Sequence, residues 1–178
     1  LGGRKLTSFG DARNNVANSL MVVSAKLGMH FCACGPKDLM PSPELVAKCQ
    51  AVAAETGAVL EFTDDVKKGA ENCDILYTDI WVSMGEPDDI WAERIKLLRP
   101  YQVNKEVMAM AKPTAIFLHC LPSFHDRETT IGEDIYQKFG LPAMEVTDDV
   151  FLGKQARQFD EAENRMHTIK AVMYATLK

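Results

Sequence analysis

Short apolar runs alternate with helical stretches along this chain, and that alternation constrains the fold more than any other feature. Residues 5–9, 29–34, 59–62, 74–78 and 114–118 read as short strands rich in Leu, Ile, Val and Phe. Between the first two, Val16, Leu20, Val23 and Leu27 recur at helical spacing, with Gly28 as the stop. Ser42 and Pro43 read as N-cap and first residue of the next helix, and Leu45, Cys49 and Val52 mark its stripe up to Gly57. Shorter helical segments follow around Val66 and Ala70, over 91–98 and over 104–111. After Pro122 the pattern becomes a longer, looser stretch. The chain closes with a helix read as capped by Asp160, with Glu163 as capping-box partner and Ala162, Met166, Ile169, Met173 and Leu177 as one apolar stripe. Strands joined by helices imply right-handed crossovers and a parallel sheet covered on both faces. The expected fold is α/β: a doubly wound, Rossmann-like parallel sheet of about five strands, helices on both faces and a C-terminal helical tail. Residues 1–158 read as the α/β domain and 159–178 as the tail.

Length and charge bound the function. A chain of 178 residues, 47% apolar and 25% charged, is one domain's worth of globular protein. With 20 basic and 25 acidic side chains scattered along it, it lacks the concentrated basic face that nucleic-acid binding needs. No stretch approaches ~18 uninterrupted apolar residues, so no membrane span is expected. The start, Leu1-Gly2-Gly3-Arg4, has neither an initiator Met nor a signal-peptide pattern and reads as a cut. Five cysteines with no C-x-x-C pattern suit reduced thiols in a cytoplasmic protein. His30, Cys32 and Cys34 share one strand face through the period of two, but a structural zinc site needs about four ligands and nothing nearby completes this one. They are expected to be buried strand residues, with no metal bound.

Three polar clusters fall at strand ends, where an open parallel sheet binds its ligands. They are 10–15 (GDARNN), 79–86 (DIWVSMGE) and 119–122 (HCLP). A dinucleotide reading fails, because G-x-G-x-x-G is reduced to Gly10 and no acidic residue ends the second strand. Asn15 is either a helix-cap side chain or an amide for a ligand carboxylate. Asp79 is either a turn residue or a fixed carboxylate for an ammonium, and Ser83-Met84 is either a turn or a source of hydroxyl and N–H donors. Cys120 is either a small buried hydrophobe or a reactive thiol. Neighbouring strand-end residues point opposite ways, so His119 is poorly placed to activate it. Together the clusters suit a small zwitterion whose second amine must lose a proton before it can attack.

These three clusters, with 159–165 (FDEAENR), resemble in order and spacing the motif set of the ornithine carbamoyltransferases over essentially the whole chain. That family transfers the carbamoyl group of carbamoyl phosphate to the δ-amine of L-ornithine, giving L-citrulline and phosphate, without a cofactor. The resemblance implies that Asn15, Asp79, Ser83 and Met84 hold the α-amino and α-carboxylate groups of ornithine. It places Cys120, with Asp79, beside the δ-amine as catalytic residues that help it lose its proton. It gives Cys120, Leu121 and Arg165 to the carbamoyl group, Arg165 stabilising charge on its oxygen. No basic residue stands in 79–84, as an aspartate-binding relative would need.

The family's phosphate loop (Ser-Thr-Arg-Thr) and His-Pro pair are missing from these residues, so the resemblance is to the C-terminal, ornithine-binding half of a protein implied to be a homotrimer. The last helix matches the one that packs on the other domain. Two expectations follow: the chain alone does not make citrulline, and the Met166–Ile169–Met173 stripe is partly orphaned, so that the tail is mobile, displaced or packed on another copy. A carbamoyltransferase for another amine such as putrescine, or a free-standing amino-acid-binding domain, are the alternatives.

Overall fold

A computed structural model describes residues 1–82 and 90–177. Its centre is a five-stranded sheet built from β1 (Lys5–Phe9), β2 (His30–Cys34), β3 (Val59–Thr63), β4 (Ile75–Thr78) and β5 (Ile116–His119). The order is β3-β2-β1-β4-β5, and every pairing is parallel. The chain steps outward from β1 to β3, then crosses back to lay β4 on the other side of β1. That reversal opens a crevice beyond the carboxyl ends of β1 and β4. The doubly wound sheet expected from the alternation is the one observed.

Alternate side chains on each strand feed two cores. Leu6, Phe31, Ala33 and Tyr77 pack under α1 (Asn15–Lys26) and α2 (Pro43–Thr56). Phe9, Cys34, Leu76 and Phe117 form the opposite core. The helices α3 (Val66–Ala70), α5 (Lys105–Met110) and α7 (Asp148–Phe151) contribute Ala70, Val107 and Phe151 to it. A third cluster lies where the strand-end loops need support. There Trp81, Ile95 of α4 (Trp91–Leu98), Phe124, Ile135 of α6 (Thr130–Phe139) and Met144 pack together. The stretch after Pro122 is therefore less loose than its spacing suggests, since it holds both α6 and α7.

Local signals hold at α2, where Ser42 Oγ accepts the N–H of Leu45, Pro43 opens the helix and Gly57 closes it in the left-handed conformation. At α1 the expected stripe is half right, since Val16 and Leu20 pack, partly buried, against the core. The buried face is Ala17, Met21, Ser24 and Ala25, while Val23 and Leu27 are 42% and 47% exposed. Small side chains let this helix lie close to the sheet, so closeness rather than side-chain size decides which face is inside. Its cap is Asn14, whose Oδ1 accepts the N–H of Ala17 at 2.7 Å.

The last helix, α8 (Gln158–Thr176), starts earlier than the Asp160 cap expected. Phe117 N–H donates to Gln155 O and Arg157 N–H donates to Phe117 O, both at 2.9 Å, so the incoming chain pairs with the outer edge of β5. Gln158 is buried and its Nε2 donates to Phe151 O at 2.7 Å. These tertiary bonds fix where the helix begins, and Asp160 and Glu163 are exposed. Beyond the first turn the helix leaves the body: Met166, Ile169, Val172 and Met173 are all about half exposed or more. The orphaned stripe expected from the sequence is present.

Candidate functional site

The loops after β1, β4 and β5 open onto one crevice because these strands are consecutive in the sheet. Gly10, at φ 108°, turns the chain out of β1, and its N–H donates to Cys34 O at 2.9 Å. Asp11 bends back on its own loop, accepting the N–H of Arg13 at 2.8 Å and the guanidinium of Arg94 at 2.6 Å. It therefore ties α4 to the first loop. Asn15 is the first residue of α1, with an exposed side chain, and the cap beside it is Asn14. Ser83 and Met84 lie outside the described residues.

Asp79 follows β4 and Cys120 follows β5. The thiol of Cys120 donates to Asp79 Oδ1 at 2.9 Å, and that oxygen also accepts the N–H of Ile80 at 2.8 Å. Thr78 anchors the base of this arrangement by donating its hydroxyl to Phe9 O at 3.1 Å. Burial, and then the carboxylate of Asp79, push the Cys120 thiol well above the ordinary thiol range. The thiol is thus the protonated donor of the pair.

His119 points to the other face, as strand alternation requires. It is buried against Phe117 and bonded to Glu145, away from the thiol. Leu121 adopts a left-handed φ of 48° and donates its N–H to His119 Nδ1 at 3.0 Å.

The first turns of α8 form the remaining wall. Cys120, Glu161 and Arg165 line a cavity of about 370 Å³ together with His119, Asn164 and Thr168. Glu161 and Arg165 are four residues apart and so share one helix face. Tyr77 donates its hydroxyl to Glu161 Oε1 at 2.7 Å, and burial pushes the Glu161 carboxyl upward from its ordinary value. The structure thus brings Asp79, Cys120 and Arg165 to one place. Asn15 shares no hydrogen bond with them among the described residues. Tyr77, Glu161 and Glu145 carry contacts that sequence reasoning did not single out, and only the i, i+4 spacing of Glu161 and Arg165 was a signal for any of them.

The His30, Cys32 and Cys34 face has ordinary partners. His30 Nε2 pairs with Glu61 at 3.1 Å, and burial pushes the Cys32 thiol up to about 12. A different group, His125, Asp126 and Asp148, places its ligand atoms within 4.8 Å of one another. There His125 Nδ1 hydrogen-bonds with Asp148 Oδ1 at 2.8 Å and its ring stacks on Phe151 at 3.7 Å, so the histidine already has a polar partner and a packing role.

The sequence model for the aspartate/ornithine carbamoyltransferase Asp/Orn binding domain matches residues 2–176. The chain belongs to the aspartate/ornithine carbamoyltransferase family. Among its curated relatives in this family, a catabolic ornithine carbamoyltransferase of Treponema denticola is 62% identical over 177 residues, 99% of this chain and 52% of that protein. One from Streptococcus agalactiae is 55% identical over 174 residues, 97% of this chain and 52% of that protein. The solved ornithine carbamoyltransferase of Pyrococcus furiosus superposes with a TM-score of 0.82 at 37% identity, covering 97% of this chain and 49% of that one. The chain therefore spans about half the length of the relatives it matches.

Proposed function

We propose that this chain is the ornithine-binding half of an ornithine carbamoyltransferase, which converts carbamoyl phosphate and L-ornithine to L-citrulline and phosphate. The observation that carries this reading is the Cys120–Asp79 hydrogen bond at 2.9 Å, beside a cavity that Cys120 shares with Arg165. An alkyl ammonium has a pKa near ~10.4 and attacks only after losing its proton. The carboxylate of Asp79 attracts the ammonium and favours its approach, and the Cys120 thiol holds the carboxylate in place. The Asp79 carboxylate takes that proton, the freed amine nitrogen forms a bond to the carbamoyl carbon as the carbon–oxygen bond to phosphate breaks, and phosphate leaves with the electron pair and takes up the second nitrogen proton. Arg165 offsets the charge that builds on the carbamoyl oxygen, a role whose loss typically costs ~10²–10³ in rate. Leu121 completes the carbamoyl contact, and Asn15, Asp79, Ser83 and Met84 take the α-amino and α-carboxylate groups. These assignments rest on the motif resemblance.

In this reading residues 1–158 bind ornithine, and the helix over 159–178 meets a carbamoyl-phosphate-binding domain in a longer, cytoplasmic, homotrimeric protein of arginine metabolism. The 178-residue chain alone is inactive, because the phosphate-binding residues belong to that other domain. Calorimetric titration of the chain with ornithine and, separately, with carbamoyl phosphate tests the proposal. Ornithine binding without carbamoyl phosphate binding or citrulline formation is expected. Equal affinity for putrescine would favour a different amine, and no affinity for ornithine would overturn the reading.

A further inference from the structure

Glu145 lies between α6 and α7 with no exposed surface, and one of its oxygens serves three donors. Oε1 accepts the N–H of Phe124 at 2.7 Å, the hydroxyl of Ser123 at 2.9 Å and His119 Nε2 at 3.2 Å. His119 is itself buried, and its other ring nitrogen accepts the N–H of Leu121. Nδ1 is therefore the acceptor and Nε2 the donor. The backbone around Glu145 is held as firmly: Val103 N–H donates to Glu145 O at 2.9 Å and Met144 N–H donates to Phe124 O at 2.8 Å.

One carboxyl group thus ties both ends of the turn 119–124. It grips His119 before Cys120 and Leu121, and Ser123 and Phe124 after them. None of these bonds involves the polar groups assigned to substrate. We infer that Glu145 is a positioning residue, which through His119, Ser123 and Phe124 sets the turn that aims the Cys120 thiol at Asp79 and presents Leu121 to the crevice. The inference deepens the proposed function and rests on it for the roles of Cys120 and Leu121. The geometry of the turn does not depend on that reading.

The test uses Glu145→Gln, which keeps one acceptor oxygen, and Glu145→Met, which keeps the volume and removes the acceptor. Alkylation of Cys120 by iodoacetamide, followed peptide by peptide across pH, reports how the thiol is seated, and calorimetry reports ornithine affinity. Glu145→Gln should retain the wild-type alkylation profile. Glu145→Met should move its midpoint toward the ordinary thiol value of 9.0, raising the rate near pH ~8 about tenfold or more, and should weaken ornithine binding about tenfold. A role in stability alone would lower the melting temperature and leave the alkylation profile in place, which would overturn the inference. Should Glu145→Met fail to fold, His119→Asn keeps an acceptor for Leu121 while cutting the link to Glu145. The same shift is then expected, and an unchanged profile again overturns the inference. If the wild-type chain does not bind ornithine, the proposed function fails while the alkylation profile still decides the role of Glu145.

Discussion

Cys120 and Asp79 sit at the ends of adjacent parallel strands, 41 residues apart in sequence, and the thiol of one donates to the carboxylate of the other at 2.9 Å. Two neutralising effects meet there: burial disfavours the thiolate, and the neighbouring carboxylate disfavours it further. Iodoacetamide should therefore modify Cys120 slowly at neutral pH, with a midpoint above the ordinary thiol value of 9.0. Asp79→Asn removes the nearby charge and should lower that midpoint. A wild-type midpoint at or below 9.0 would contradict the seating described.

Asp74 supplies a pH dependence at the opposite end of the sheet. Burial alone would raise its carboxyl. Hydrogen bonds from Lys112, the N–H of Lys5 and Arg4 outweigh burial and hold it at about 2 instead of the ordinary 3.8. Its contribution is present above pH 3.8 and is lost as pH falls through about 2. Asp74→Asn should cost about 2 kcal/mol in urea unfolding at neutral pH, and the difference from wild type should close in that acid window.

Tyr77→Phe removes the donor that holds Glu161. Leaving a half-buried carboxylate oxygen without its partner should cost about 1 kcal/mol at neutral pH. The folded carboxyl of Glu161 is raised, so the protonated form is the better tolerated one and the penalty should shrink as the medium is acidified. Amide exchange over 160–164 should quicken in the variant. Unchanged exchange would mean that the first turn of α8 is held by other contacts.

The stripe on α8 gives the opposite forecast. Ile169 and Met173 are 48% and 52% exposed, so Ile169→Lys and Met173→Lys should each change stability by no more than about 0.5 kcal/mol. Thermal unfolding of the 178-residue chain measures this directly. A loss of several degrees would place these residues in a core.

Gly35 marks how closely the loops after β1 and β2 approach. A Cβ there would overlap the carbonyl oxygen of Gly10, so Gly35→Ala should destabilise the chain by about 1–3 kcal/mol. A neutral result in urea unfolding would mean that the two loops separate without penalty.

The parallel sheet and its strand-end crevice were legible because apolar runs and caps are local signals, as Ser42, Pro43 and Gly57 show. The neighbourhood of Asp79, Cys120 and Arg165 was legible because their motifs match a known set; the sheet order brings Asp79 to Cys120, and α8 brings Arg165 to the cavity beside Cys120. What was not legible depends on contacts distant in sequence. Large side chains pointed to Val23 and Leu27 as the inner face of α1, yet the tight fit against the sheet selected Ala17, Met21 and Ser24. The cap chemistry of Asp160 and Glu163 pointed to a later start for α8, yet the bond from Gln158 to Phe151 set it earlier. Glu145 carried no signal, since an acidic residue between Met144 and Val146 in an aperiodic stretch gives no hint that three donors surround it.

The joint between β5 and α8 has a mechanical consequence. The helix is a cantilever: its base is bonded into the sheet edge through Gln155 and Arg157 and to α7 through Gln158, and the apolar stripe on its outer turns is about half exposed. Arg165 stands about 10 Å along it from Gln158, at 1.5 Å per residue. A tilt of about 10° at the root therefore carries that guanidinium roughly 2 Å, enough to make or lose a hydrogen bond. Whatever grips the outer turns steers Arg165 relative to Cys120 without touching either residue.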